Sequence, residues 1–203
     1  MKTIDNISDT LYENLKNSIN SGDKITIAAS CFSMYAFAEL KEQLKNVADF
    51  RLMFTSPSFL KDSGIKAPKN LNTPDNEDCL SGNEFETKLR NELTQKAIAK
   101  EFAEWLKGEN VKIRANKTNE FINGFITVQN TAEKKLLSYS PIQGFTTVDL
   151  GCSKGNHALN IIQEIDLPYS KDYLSAFNSI WSDKKYMVDV KEAVLQKIAS
   201  AYS

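Results

Sequence analysis

Apolar positions along this chain change period several times, and each change marks an element. Ile7, Leu11, Leu15 and Ile19 recur every four residues, with Asp9 and Glu13 near one end and Gly22 beyond the other. That spacing predicts a helix over residues 7–19. Residues 24–29 are a short apolar run that predicts a strand. Tyr35, Phe37, Leu40 and Leu44 then fall mostly on one helical face, and residues 50–55 alternate at period two, as a strand does. Strand, helix and strand within about 30 residues form a βαβ unit, whose two strands are expected to be parallel neighbours.

Residues 56–83 break this pattern with Pro57, Pro68, Pro74 and many Asn and Asp residues, and predict a long surface loop or arm. Residues 84–108 predict the strongest helix. Phe85, Leu89, Leu93, Ile98, Phe102, Trp105 and Leu106 form its apolar stripe, and Gly108 ends it. Further strands are expected at 111–115, 121–128, 135–139 and 158–165, and closing helices at 171–182 and 189–202. The expected fold class is α/β, a mixed sheet flanked by helices.

Composition narrows the field. The chain has 203 residues, 41% of them hydrophobic, enough for one well-filled core or one core with an appended helical piece. A net charge of −1 excludes a surface wholly devoted to polyanions, so nucleic-acid contact would need a local patch. The first nine residues hold two acids and no apolar core, unlike a secretory signal, and no run reaches 18 apolar residues. Cys31, Cys79 and Cys152 are odd in number and contain no CxxC, so neither a disulfide framework nor a zinc site is signalled. These features together point to a cytoplasmic protein without membrane association, metal or cofactor.

Residues 148–156, Val-Asp-Leu-Gly-Cys-Ser-Lys-Gly-Asn, resemble the glycine-rich first motif of S-adenosylmethionine methyltransferases. It starts only about 55 residues before residue 203, too few for the remaining βα units of that fold. A turn between strands is the simpler expectation. The single histidine, His157, has no HxK or HxH pattern around it, and a lone histidine is more often structural than catalytic. Residues 86–107 mix Lys88, Arg90, Lys96, Lys100 and Lys107 with four glutamates, the pattern of a solvated helix face, although Arg90 is a candidate phosphate ligand. The chain has no P-loop, GxSxG or HExxH motif, and Trp105 and Trp181 read as core residues.

Four segments together resemble one family: residues 11–16, Phe32-Ser-Met-Tyr-Ala-Phe37, Phe54-Thr-Ser-Pro57 and the block from Phe85 to Lys100. That family is the N-terminal phospholipase D-like domain of bacterial Snf-type superfamily II helicases, associated with restriction and defence loci. The stretch from Trp181 through Leu195 looks like the linker into the helicase engine. The resemblance implies a phospholipase D-like domain at 1–168 and a C-terminal helical extension or linker at 169–203.

Active phospholipase D-like proteins pair two HxKxxxxD motifs. One histidine attacks phosphorus, the other protonates the leaving oxygen, and the lysines neutralise the equatorial oxygens. In Phe121-Ile-Asn-Gly-Phe-Ile-Thr-Val-Gln-Asn130, the matching positions are Asn123, Phe125 and Asn130. An amide is a poor nucleophile at phosphorus and a phenyl ring cannot neutralise phosphate, so each loss raises the barrier by several kcal/mol. A symmetric dimer supplies no replacement, since both copies lack the same groups. Downstream, residues 144–146 and 155–160 resemble the family's second motif but carry Ala158 where an acid is expected. The resemblance therefore implies a catalytically silent module that binds DNA, targets or dimerises a helicase-type ATPase in the same or another chain, and implies a homodimer. Two alternatives stand beside it. One is a phosphodiesterase or nuclease with a relocated site at Thr146, Lys154 and His157, with Asn156 as a further binding candidate. The other is a methyltransferase-like enzyme using residues 149–156.

Overall fold

The βαβ unit lies at the centre of the sheet. A computed structural model describes residues 1–62 and 92–202 of the chain. Strand β2 (Lys24–Ala29) leads through helix α2 (Met34–Leu44) to β3 (Asp49–Phe54), which pairs parallel with β2 over six residues. β4 (Val111–Asn116) extends the parallel set beyond β3. On the other side of β2, β5 (Gly124–Asn130) and β6 (Lys135–Ile142) form an antiparallel hairpin. β7 (Ile162–Ile165), β1 (Lys2–Ile4) and β8 (Met187–Asp189) complete eight strands in the order β1-β7-β6-β5-β2-β3-β4-β8. With helices α1 (Leu11–Ser18), α3 (Ser58–Asp62), α4 (Glu92–Leu106), α5 (Ser170–Trp181) and α6 (Lys191–Tyr202), the described residues form an α/β fold built on a mixed sheet.

Alternation divides the core in two. Ile25, Ile27, Phe50, Leu52, Val111, Ile113, Ile126 and Val128 point to one face, under Leu11, Leu15, Phe37, Leu40, Phe102, Leu106, Val194 and Ile198. Their neighbours Ala28, Met53, Phe125 and Met187 point to the other, under Phe177 and Trp181 of α5. Covering on both faces is why β2 and β3 read as nearly continuous apolar runs.

Several boundaries differ from expectation, each for a local reason. The first helix starts at Leu11 with Thr10 as its cap, and Ile7 is exposed. Asp5 Oδ1 accepts the backbone N–H groups of Ile7, Ser8 and Asp9 at 2.9–3.0 Å, a side-chain turn that competes with helix. The strand expected at 121–128 begins at Gly124, where a Cβ would lie 2.0 Å from the Ile142 carbonyl oxygen. The strand expected at 158–165 is confined to its last four residues. Segment 169–203 is more than a helical extension. It adds β8 to the sheet edge, and its two helices pack into both core clusters. Most of the arm at 56–83 and the first part of the 84–108 helix lie outside the described residues.

Candidate functional site

Strand β5 and the residue before it hold Asn123, Phe125 and Asn130, the three positions aligned with the HxKxxxxD pattern in the sequence analysis, in three different surroundings. Asn123 precedes the strand and is exposed, with no side-chain hydrogen bond among the described residues. Phe125 faces inward beneath α5. Its ring meets Tyr173 edge-on at 5.4 Å and Phe177 at 6.2 Å, so this position holds an apolar plug. Asn130, at the far end, donates to Asp23 Oδ1 at 2.8 Å. Asp23 is fully buried, bound by Lys135 Nζ at 2.6 Å and by the Asn20 N–H at 2.8 Å. Phe125 is covered by its own chain, which removes it from any exposed symmetric interface.

At the Asn123 end, the turn after β6 docks against the end of β2. Phe145 N–H donates to the Cys31 carbonyl, and Ser33 N–H donates to the Phe145 carbonyl, both at 2.9 Å. Gly144 is required here, because a Cβ would approach Cys31 Sγ to 2.7 Å and Asp149 Oδ2 to 2.9 Å. The close packing turns the Asp149 carboxylate inward. Oδ2 accepts from the Thr146 N–H at 3.1 Å and from its hydroxyl at 2.8 Å. Burial pushes the Asp149 carboxyl up from its usual range, opposed by the Thr146 hydrogen bonds and the nearby His157.

Asp149 and His157 line one cavity of about 280 Å³, together with Gln143, Asn160 and the apolar Pro141, Ile142, Leu159, Ile161 and Ile162. The side chains of Gln143, Asn160 and His157 make no hydrogen bond to protein among the described residues. No Lys or Arg of the described residues lines this space.

The candidates from sequence therefore separate. His157 belongs to the cavity. Thr146 is buried, its hydroxyl committed to Asp149 as donor and, at 3.2 Å, as acceptor of the Asp149 N–H. Lys154 and Asn156 are exposed and do not line the cavity, so the trio Thr146, Lys154 and His157 is not brought together there. Arg90 lies outside the described residues, as does Cys79. Residues 148–153 form turns, without the strand and helix that a methyltransferase motif joins. Gly151 there serves another purpose. At φ 81° it makes room for Asn6, whose Oδ1 would sit 2.5 Å from an added Cβ and whose Nδ2 donates to the Asp149 carbonyl at 2.8 Å. Among the described residues no group of three or more His, Cys, Asp or Glu side chains is placed to hold a metal, and no helix is long and apolar enough to cross a membrane.

Sequence reasoning missed the parts of the site contributed by Asp149, Gln143 and Asn160. Thr146 and Asp149 stand three residues apart, the spacing of a local side-chain-to-backbone turn. That signal was available, but it does not reveal which side of the turn is open. No protein-family model matches this chain, and no curated protein matches it.

Proposed function

We propose that this chain is a catalytically silent phospholipase D-like module that binds DNA on behalf of a helicase-type ATPase, in the same or another chain. The observation that carries the reading is Phe125. A lysine in an active relative needs an open, polar pocket to meet a phosphate, whereas this ring is sealed against Tyr173 and Phe177. The sealed face also argues for binding over dimerisation through the emptied site. The open end of the sheet supports contact with unpaired bases, because Phe121 is 87% exposed beside Asn123 and aromatic platforms of this kind stack on single strands.

Fluorescence anisotropy of labelled single- and double-stranded DNA across a salt series tests the proposal, run beside a metal-free phosphodiesterase assay. Binding should weaken as salt rises, with no cleavage. Cleavage that persists through purification would overturn the silent reading, and its loss in His157→Ala would relocate the chemistry to the cavity. Absence of binding would move the role to protein assembly.

A further inference from the structure

We infer that the cavity at the open end of the sheet is a nucleobase pocket that reads a guanine through the Asp149 carboxylate. For its source of bases this rests on the DNA-binding reading above; its chemistry stands apart from it.

Three observations select the ligand class. First, the polar lining among the described residues is a carboxylate, two planar amides and an imidazole, with no described Lys or Arg. There a phosphate would meet a like charge, so the described lining does not suit the backbone of a nucleic acid. Second, the amides of exposed Gln143 and half-buried Asn160 each offer a donor and an acceptor with no protein partner among the described residues. A simple ammonium ligand has only donors and would leave the amide N–H groups idle. A ligand with donors and acceptors along one flat edge uses both. Third, the remaining walls are Pro141, Ile142, Leu159, Ile161 and Ile162, apolar surfaces suited to the faces of a ring.

Among the bases, guanine carries two adjacent donors, N1–H and the exocyclic amino group, beside the O6 acceptor on one edge, with N7 next to O6 around the ring. The donors match a carboxylate, and the acceptors match amide and imidazole N–H groups. The carboxylate is held in position in advance by the Thr146 N–H and hydroxyl, so little order is lost on binding. Leu159, 76% exposed, and Ile161, 45% exposed, form an apolar rim that a base would cover.

The chain's single histidine makes the test clean, because His157 gives the only imidazole ring resonances in the protein and lies in the cavity. Deoxyguanosine titrated into the intact chain should shift those resonances saturably. Deoxyinosine, which lacks the amino group, should bind about tenfold more weakly, the loss expected for one hydrogen bond to a charged acceptor. Asp149→Asn should abolish the preference for deoxyguanosine. Should that variant fold poorly, Asn160→Ala removes one half-buried amide at the rim and should weaken deoxyguanosine severalfold in a protein with an unchanged amide spectrum. No shift, or equal affinity for the two nucleosides, would overturn the pocket. A deoxyguanosine shift in a protein that binds no DNA would leave a site for free nucleosides and overturn the DNA-binding role. DNA binding without a nucleoside response would do the reverse.

Discussion

The two ends of strand β5 hold polar clusters of similar composition and opposite design. They lie about 24 Å apart, seven residues along an extended strand. At the Asn130 end, Asp23 is fully buried and its two oxygens take Asn130, Lys135 and the Asn20 N–H, while Lys135 also donates to the Ser18 carbonyl at 2.8 Å. Both of its carboxylate oxygens are satisfied. At the Asn123 end, the Asp149 carboxylate is held on one side by Thr146 and lines a cavity beside amides that have no protein partner among the described residues. The first arrangement spends its hydrogen bonds on the fold; the second keeps hydrogen-bonding capacity in reserve. Position along one strand thus decides the surroundings of Asn123, Phe125 and Asn130. Asn130 is locked into structure, Phe125 into the core, and only Asn123 remains at an open surface.

The closed end should be the more fragile to side-chain loss. Lys135→Ala leaves a buried carboxylate without its cation and should cost about 4 kcal/mol in urea denaturation. A loss below about 1 kcal/mol would mean that water replaces the lysine and that this end is open too. Phe125→Ala should cost about 3 kcal/mol, at the lower end for a phenyl ring because its edge retains some exposure. Phe125→Lys should destabilise at least as much, since it places a charge among Ala28, Met53, Phe177 and Trp181. Asn130→Asp removes a donor from buried Asp23 and sets a second carboxylate beside it, costing about 2 kcal/mol. Combining Lys135→Ala with Phe125→Ala should give an additive loss, because the sites share no partner. Lys135→Ala with Asn130→Asp should not add, because both act on Asp23.

How much of this was legible in the sequence depends on the range of the interaction. The parallel β2 and β3 were legible because covering on both faces makes their residues continuously apolar, and α2 because Phe37, Leu40 and Leu44 keep one face. β1 and β8 were not. Three residues are too few to show an alternation, and each is a strand only because a neighbour, β7 or β4, offers hydrogen bonds. The start of α1 was misplaced because Ile7 fits the period, while Asp5 captures the backbone ahead of it. The separation of Asn123, Phe125 and Asn130 into exposed, plugged and hydrogen-bonded positions was not legible, since α5 and Asp23 come from distant parts of the chain. His157 was visible as a lone histidine, but its neighbour Asp149 became a cavity group only through the packing of Gly144 against Cys31.

The smallest predicted effect concerns the open end and is read as a slope. Burial raises the Asp149 carboxyl above its usual value of 3.8, so the folded state holds that proton more tightly than the unfolded chain. Between 3.8 and the raised value the folded state therefore binds more protons, and stability falls as pH rises through that window, then levels off. Asp149→Asn carries no such group. Its stability relative to the parent should improve as pH is raised from about 4 toward neutrality, and any hydrogen bonds from Thr146 that the amide keeps add only an offset that does not vary with pH. Urea midpoints of the two proteins measured at several pH values give the difference. A constant difference would mean that Asp149 sits in a fully compensated site, erasing the contrast between the two ends. A difference that grows with pH would mean that the fold carries an uncompensated carboxylate at a stability cost, which is the usual condition of a residue kept for binding.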